Sequence, residues 1–160
     1  MVTNGKKALK IRLKKSMIQF MKITICGSMT FAKQMVEVQS KLEKKGHTVI
    51  LPSDIDTHLS NSTFIDNFEQ NLKHCREADM LRDHYDAIKK SDAILVLNYP
   101  KNNIEGYIGT STLMEMAIAH HYKKKIFLLN NVPSYKDYRW VHEVLIINPQ
   151  VINGDFTKIK

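Results

Sequence analysis

Residues 92–98, Asp-Ala-Ile-Leu-Val-Leu-Asn, are the most hydrophobic of five short apolar runs in this chain. A continuous apolar run of this length is typical of a strand that is covered on both faces. The other four runs, at 22–26, 47–51, 125–129 and 151–152, alternate with helical patterns. This alternation predicts parallel strands joined by right-handed crossovers. We therefore expect a single doubly wound α/β domain, flavodoxin-like or Rossmann-like, with about five parallel strands.

Four segments carry helical patterns, namely 31–45, 62–90, 110–122 and 135–146. The second is longer than an ordinary globular helix, and we expect it to be broken near its middle. Residues 54–64 are polar and are predicted to form a loop.

Most of the net charge of +8 belongs to the first 20 residues. Residues 1–20 contain six Lys and Arg and no acid, which leaves 18 basic and 16 acidic residues, or +2, for the remainder. We expect residues 1–20 to be a basic extension, either disordered or a misassigned start, and residues 21–160 to be a nucleotide-binding α/β domain. No aromatic residues interleave with the basic ones, so we expect nucleic-acid contact nowhere except through this leader.

The rest of the composition points to the cytoplasm. No apolar run approaches the roughly 18 residues that a membrane span requires, and no secretory signal is present. Cys26 and Cys75 lack metal-ligand spacing, so reduced thiols are expected. His120 and His121 are adjacent and would point to different faces of a helix. We expect no metal ion and no cofactor.

In doubly wound sheets, ligands bind beyond the carboxyl ends of the strands. After the first strand this rule selects Cys26, Gly27 and Ser28, where a tight turn leads into a helix whose free N–H groups could hold a phosphate. Lys33, one turn into that helix, is a candidate cation. The alternative is that Gly27 and Ser28 serve only as turn and helix cap.

The third strand contributes two candidates. Asn98 lies at its carboxyl end, where a side-chain amide could recognise a base or a sugar hydroxyl. Asp92 precedes the strand and is either a site residue or an ordinary turn residue.

Residues 106–115, Gly-Tyr-Ile-Gly-Thr-Ser-Thr-Leu-Met-Glu, form the strongest candidate segment. Gly106 and Gly109 allow the backbone to approach a ligand closely, and Thr110 or Ser111 could cap the helix that follows. Glu115 then lies near the start of that helix, where a shielded carboxylate can act as a nucleophile or as an acid or base. The alternative is a capping box in which Glu115 pairs with Thr112.

Three motifs together resemble the nucleoside 2-deoxyribosyltransferase superfamily, which includes the 2′-deoxynucleoside 5′-phosphate N-hydrolases. They are Ile25-Cys26-Gly27-Ser28, Ser91-Asp92-Ala93-Ile94-Leu95-Val96, and Gly109 followed by Thr112-x-x-Glu115-x-x-x-Ala119. The similarity runs from about residue 21 to residue 129. Residues 106–115 also look somewhat like the glycine-rich loop of lysine-decarboxylase-like phosphoribohydrolases.

The resemblance implies roles for these residues. Glu115 would attack the anomeric carbon, and Asp92 would position the sugar or handle the proton of the leaving base. Gly27 and Ser28 would lie near the sugar or the 5′-phosphate. Together with the strand-end and loop candidates, this gives the predicted substrate-binding residues Cys26, Gly27, Ser28, Asn98, Tyr107, Gly109 and Thr112. A dimer or larger homo-oligomer is also implied. Transferases of the family place a tyrosine where Cys26 or Gly27 stands here, which favours the hydrolase branch.

The residues and motifs are therefore consistent with two functions of the domain. The first is an N-glycosidase that acts on nucleosides or (deoxy)nucleoside 5′-monophosphates through Glu115. The second is a non-catalytic nucleotide-binding or sensor domain of the same fold, which would keep the Gly27 and Gly109 loops without needing Glu115. Both take a small nucleoside or nucleotide as the ligand.

Overall fold

A computed structural model describes residues 19–160, so that the predictions about the basic leader lie outside the described residues except at positions 19 and 20. Five parallel strands form one sheet in the order β2-β1-β3-β4-β5. The strands are β1 (Lys22–Cys26), β2 (Thr48–Ile50), β3 (Ala93–Val96), β4 (Lys125–Leu128) and β5 (Gln150–Val151). This is the flavodoxin-like order, and it confirms the predicted fold class.

Within residues 19–160, six helices accompany the sheet: α1 (Ala32–Glu43), α2 (Ile55–Ser60), α3 (Phe68–Glu77), α4 (Met80–Lys89), α5 (Thr110–His121) and α6 (Trp140–Ile147). Three short 3₁₀ turns lie at Met29–Phe31, Phe64–Asp66 and Phe156–Lys158. None of the helices within residues 19–160 combines the length and the apolar character needed to cross a bilayer.

The apolar run at residues 92–98 contains the central strand β3. Its side chains alternate between two cores, because successive residues of a strand point to opposite faces. Ala93 and Leu95 belong to the core that contains helix α1, and Ile94 and Val96 belong to the core that contains α4, α5 and α6. All four are fully buried, so neither face tolerates a polar residue.

The segment between β2 and β3 differs in part from expectation. Residues 55–60, predicted as loop, form the short helix α2, because Ile55 packs against the core although its neighbours are polar. The long helical pattern is broken as predicted, between α3 and α4, where Asp79 adopts a left-handed conformation with φ of 45°. The last helix begins at Trp140 and not at residue 135.

The strand order reverses between β1 and β3, since β2 lies on one side of β1 and β3 on the other. At such a switch point the loops that leave the two strands diverge to opposite sides and open a crevice at the carboxyl edge. The loops after β1 and β2 and the start of α5 surround this crevice.

Candidate active site

A cavity of about 310 Å³ lies in this crevice. Its volume is at the lower end of the range for small-molecule sites. Of the predicted catalytic and substrate-binding residues, six line the cavity: Gly27, Ser28, Tyr107, Gly109, Thr112 and Glu115. The tertiary structure thus brings the loop after β1 together with the segment that begins helix α5.

Glu115 carries the most unusual electrostatics in the cavity wall. Its side chain is only 12% exposed, and its Oε2 has no hydrogen-bond partner among residues 19–160. Burial raises the pKa of the Glu115 carboxyl to about 8, and a hydrogen bond with the Cys26 thiol opposes part of that rise. At neutral pH the carboxyl group therefore holds its proton.

Two buried side chains lie against this carboxyl group. The Nε2 atom of His84, on α4, is 3.6 Å from Glu115 Oε1, and it is also 3.6 Å from Sγ of Cys26 at the end of β1. Burial lowers the pKa of His84, although the charges of Asp83 and Asp54 work against this. Burial likewise raises the pKa of the Cys26 thiol, and the nearby Glu115 adds to the rise. The Glu115–His84 contact is therefore between two neutral groups and not an ion pair.

The position of the helix start excludes the capping-box alternative for Glu115. Helix α5 begins at Thr110, and its N-cap is Gly109, which offers no side chain. Thr112 is the third helical residue and is buried, so it is not the cap that a capping box requires. The first N–H groups of α5 have no partners within the helix, and they belong to residues that line the cavity.

A lysine side chain that the sequence did not indicate contacts the loop after β1. Lys33, the expected cation, is exposed and does not line the cavity. Lys101, in the loop after β3, donates hydrogen bonds from Nζ to Ser28 Oγ at 2.9 Å and to Thr30 Oγ1 at 2.8 Å. Because Lys101 lies 73 residues from Ser28, no local pattern reveals the contact.

Another acidic residue of the cavity wall, Asp54, lies close to two histidine side chains. Oδ2 of Asp54 lies 3.3 Å from His58 Nε2 and 3.4 Å from His74 Nε2. Asp54 and His58 line the cavity, and the Asp54 side chain is only 10% exposed. The strand-end rule would have found Asp54 if it had been applied to β2 as it was to β1 and β3.

The structure does not bring Asp92 to the cavity. Asp92 lies at the amino end of β3, at the opposite edge of the sheet from the crevice, and it is exposed. Its Oδ2 accepts a hydrogen bond of 2.8 Å from the Lys22 backbone N–H and so anchors the start of β1. Asp92 therefore lies apart from the other predicted site residues, because a residue that precedes a parallel strand lies at the edge opposite the carboxyl ends.

Asn98 lies at the carboxyl edge of the sheet, as the cavity does, but its side chain contributes to the fold. Its Nδ2 donates to the Asn130 carbonyl and its Oδ1 accepts from the Asn130 N–H, both at 2.8 Å. The side chain is fully buried and does not line the cavity. The predicted role in substrate binding is therefore replaced by a link between the segments that follow β3 and β4.

Replacing Asn98 with Ala is expected to lower the free energy of unfolding by roughly 1–3 kcal/mol, because two part-buried hydrogen bonds to the Asn130 backbone are lost. Urea denaturation would measure the change. Asn131→Ala, which removes one exposed hydrogen bond to Asn153, is the matched control and should change stability by less than about 1 kcal/mol. Equal effects of the two variants would contradict the structural role.

The cavity wall thus combines a buried carboxyl group, an adjacent imidazole and a serine that accepts a hydrogen bond from Lys101. A neutral acid beside a neutral imidazole can pass a proton in either direction, and the lysine with the free N–H groups of α5 can hold an anion. Comparison with protein-family models finds none that matches the chain, and comparison with curated proteins finds no match either.

Proposed function

We propose that the protein cleaves the N-glycosidic bond of nucleosides or (deoxy)nucleoside 5′-monophosphates, with Glu115 as the nucleophile. The observation that carries the proposal is a buried glutamate in the wall of a ligand-sized cavity, one of whose oxygens has no partner in the described part of the chain. A buried polar atom without a partner destabilises the fold, so its retention favours a role toward a ligand. The resemblance of the surrounding motifs to N-glycosyl-cleaving enzymes supports the same chemistry.

The reaction requires a carboxylate beside the anomeric carbon. The transition state of N-glycosyl cleavage has oxocarbenium character, and a carboxylate stabilises the developing positive charge and then forms a covalent bond to the carbon. As the Glu115 oxygen bonds to C1′, the C1′–N bond breaks and its electron pair leaves with the base. Water then attacks C1′ and releases the glutamate.

His84 is positioned to transfer the protons that the reaction requires. Its Nε2, 3.6 Å from Glu115 Oε1, can take the carboxyl proton as substrate binds. The resulting imidazolium can protonate the departing base, and the neutral imidazole can later accept a proton from the attacking water. In this scheme His84 takes the role that the sequence had assigned to Asp92.

The anion-binding features of the cavity favour a nucleotide over a simple nucleoside. Lys101 donates a hydrogen bond to Ser28 in the cavity wall, and the N-terminus of α5 presents free N–H groups and a partial positive charge. A 5′-phosphate held there would anchor the substrate away from the bond that breaks. Binding energy from that remote contact would then serve to orient the sugar against Glu115.

Lys101→Met is expected to weaken binding of a nucleoside monophosphate about tenfold, because one charge-assisted hydrogen bond to phosphate is lost. Binding of the nucleoside without phosphate should change little. Isothermal titration with both ligands would measure the two affinities. Lys33→Met removes the same charge from an exposed site outside the cavity, so it should leave both affinities unchanged. An equal loss for both ligands in Lys101→Met would contradict a phosphate contact.

Base release from a panel of nucleosides and nucleoside monophosphates, followed by chromatography, tests the function itself. We expect the wild-type protein to release free base from at least one member, with monophosphates preferred. A protein that binds nucleotides but releases no base from any of them would instead be a nucleotide-binding or sensor domain.

A further inference from the structure

Three potential metal ligands meet at the inner wall of the cavity. Cys26 at the end of β1, His84 on α4 and Glu115 on α5 each place one ligand atom within 4.8 Å of the other two. The three residues are far apart in the sequence, so no motif spacing indicates that they meet. The expectation of no metal ion was based on such spacing alone.

We propose that Cys26, His84 and Glu115 form a binding site for a zinc-like divalent cation, and that the bound ion blocks Glu115. The existence of the site stands on its own geometry. Only the inhibitory effect rests on the proposed function, because a glutamate that ligates a cation cannot attack an anomeric carbon.

The distances suit four-coordinate zinc. With Zn–S of about 2.3 Å and Zn–N of about 2.0 Å, tetrahedral geometry places the sulfur and nitrogen roughly 3.5 Å apart. The observed separation of Cys26 Sγ and His84 Nε2 is 3.6 Å, and that of His84 Nε2 and Glu115 Oε1 is also 3.6 Å. Thiolate, imidazole and carboxylate are the three ligand types that zinc takes in proteins.

Charge balance favours a divalent ion in this buried place. Cys26 is fully buried, and the His84 and Glu115 side chains are 10% and 12% exposed. A divalent cation would displace the thiol and carboxyl protons, and the thiolate and carboxylate would neutralise its two charges. A neutral ion–ligand set avoids the penalty of an unbalanced buried charge.

The partner that Glu115 Oε2 lacks is a second, independent indication. A carboxylate oxygen without a hydrogen bond can approach a cation without losing an existing contact. His84 and Glu115 also line the cavity, whereas Cys26 lies behind them, so the fourth coordination position would face the cavity. Water or an anionic ligand could occupy that position.

Titration of the apoprotein with ZnCl₂, followed by calorimetry, tests the site directly, and Co²⁺ provides a spectroscopic readout of thiolate ligation. We expect one Zn²⁺ per chain and a thiolate-to-cobalt charge-transfer band. Cys26→Ser should abolish the band and lower zinc affinity by at least about 100-fold, more than the usual loss of an outer-sphere contact. Cys75→Ser, which alters the other free cysteine, should leave both unchanged.

His84→Gln is a second ligand variant, and it should also lower zinc affinity by at least about 100-fold. Circular dichroism identifies any variant that fails to fold, and the other then carries the test. The site is overturned if the folded wild type binds no zinc, or if Cys75→Ser weakens binding as much as Cys26→Ser.

Base release measured with EDTA and with one equivalent of Zn²⁺ tests the inhibition. We expect at least a tenfold loss of rate with zinc, restored by EDTA. A wild type that binds zinc but never releases base refutes the proposed function and leaves the metal site intact. A wild type that releases base equally with and without bound zinc refutes the blocking of Glu115.

Discussion

Glu115→Gln is expected to lower base release by at least about a thousandfold, because the amide retains the shape of the side chain but cannot act as a nucleophile. Affinity for a nucleoside monophosphate should change by less than a few-fold, since the phosphate-binding features remain. Single-turnover assays measure the first quantity and calorimetry the second. A parallel fall in rate and affinity would indicate a binding role for Glu115 and not a chemical one.

The same variant separates function from folding. A buried carboxyl group with one oxygen that lacks a partner among residues 19–160 is costly to the native state, so Glu115→Gln should leave the thermal midpoint unchanged or raise it. Glu105→Gln, an exposed position outside the cavity, is the matched control and should leave the rate unchanged. A large fall in stability in Glu115→Gln would show that the carboxyl group supports the fold.

Gly106→Ala should be the most destabilising single-methyl substitution in the loop before α5. Gly106 has φ of 65°, where a side chain is strained, and a Cβ there would lie 2.0 Å from the Asn131 carbonyl oxygen. The backbone must shift to relieve that contact. We expect the free energy of unfolding to fall by about 3 kcal/mol, which combines the cost of a left-handed alanine with the cost of overpacking. The corresponding fall in Tm is about 10 °C.

Gly154→Ala provides the control for the conformational part of this effect. Gly154 has φ of 73°, but a Cβ there meets nothing within 4 Å. Gly154→Ala is therefore expected to lower the free energy of unfolding by about 1 kcal/mol and Tm by about 3 °C. Calorimetry of the two variants would separate strain from collision, and equal shifts would refute the close approach of Gly106 to Asn131. Because Gly106 directly precedes Tyr107 in the cavity wall, Gly106→Ala should also weaken nucleotide binding.

Local patterns in the sequence determined the framework of this protein. The apolar run of β3 and the alternation of strands and helices required a doubly wound parallel sheet, because a strand buried on both faces needs helices on each side. The same patterns located the helix that starts after Gly109 and the strand-end loop at Gly27. These features depend on residues that are neighbours along the chain.

The tertiary structure alone determined which distant side chains contact the candidate site residues. His84 reaches the cavity from α4, and Lys101 reaches Ser28 in the cavity wall from the loop after β3. No periodicity encodes such contacts. Asp92 and Asn98 flank one strand, yet they lie at opposite edges of the sheet, and the amide of Asn98 is committed to Asn130. The sequence by itself determined which helix carries Glu115. Only the packing of β1, α4 and α5 decided that its carboxyl group is buried between a thiol and an imidazole, because desolvation and side-chain distance are properties of the folded chain.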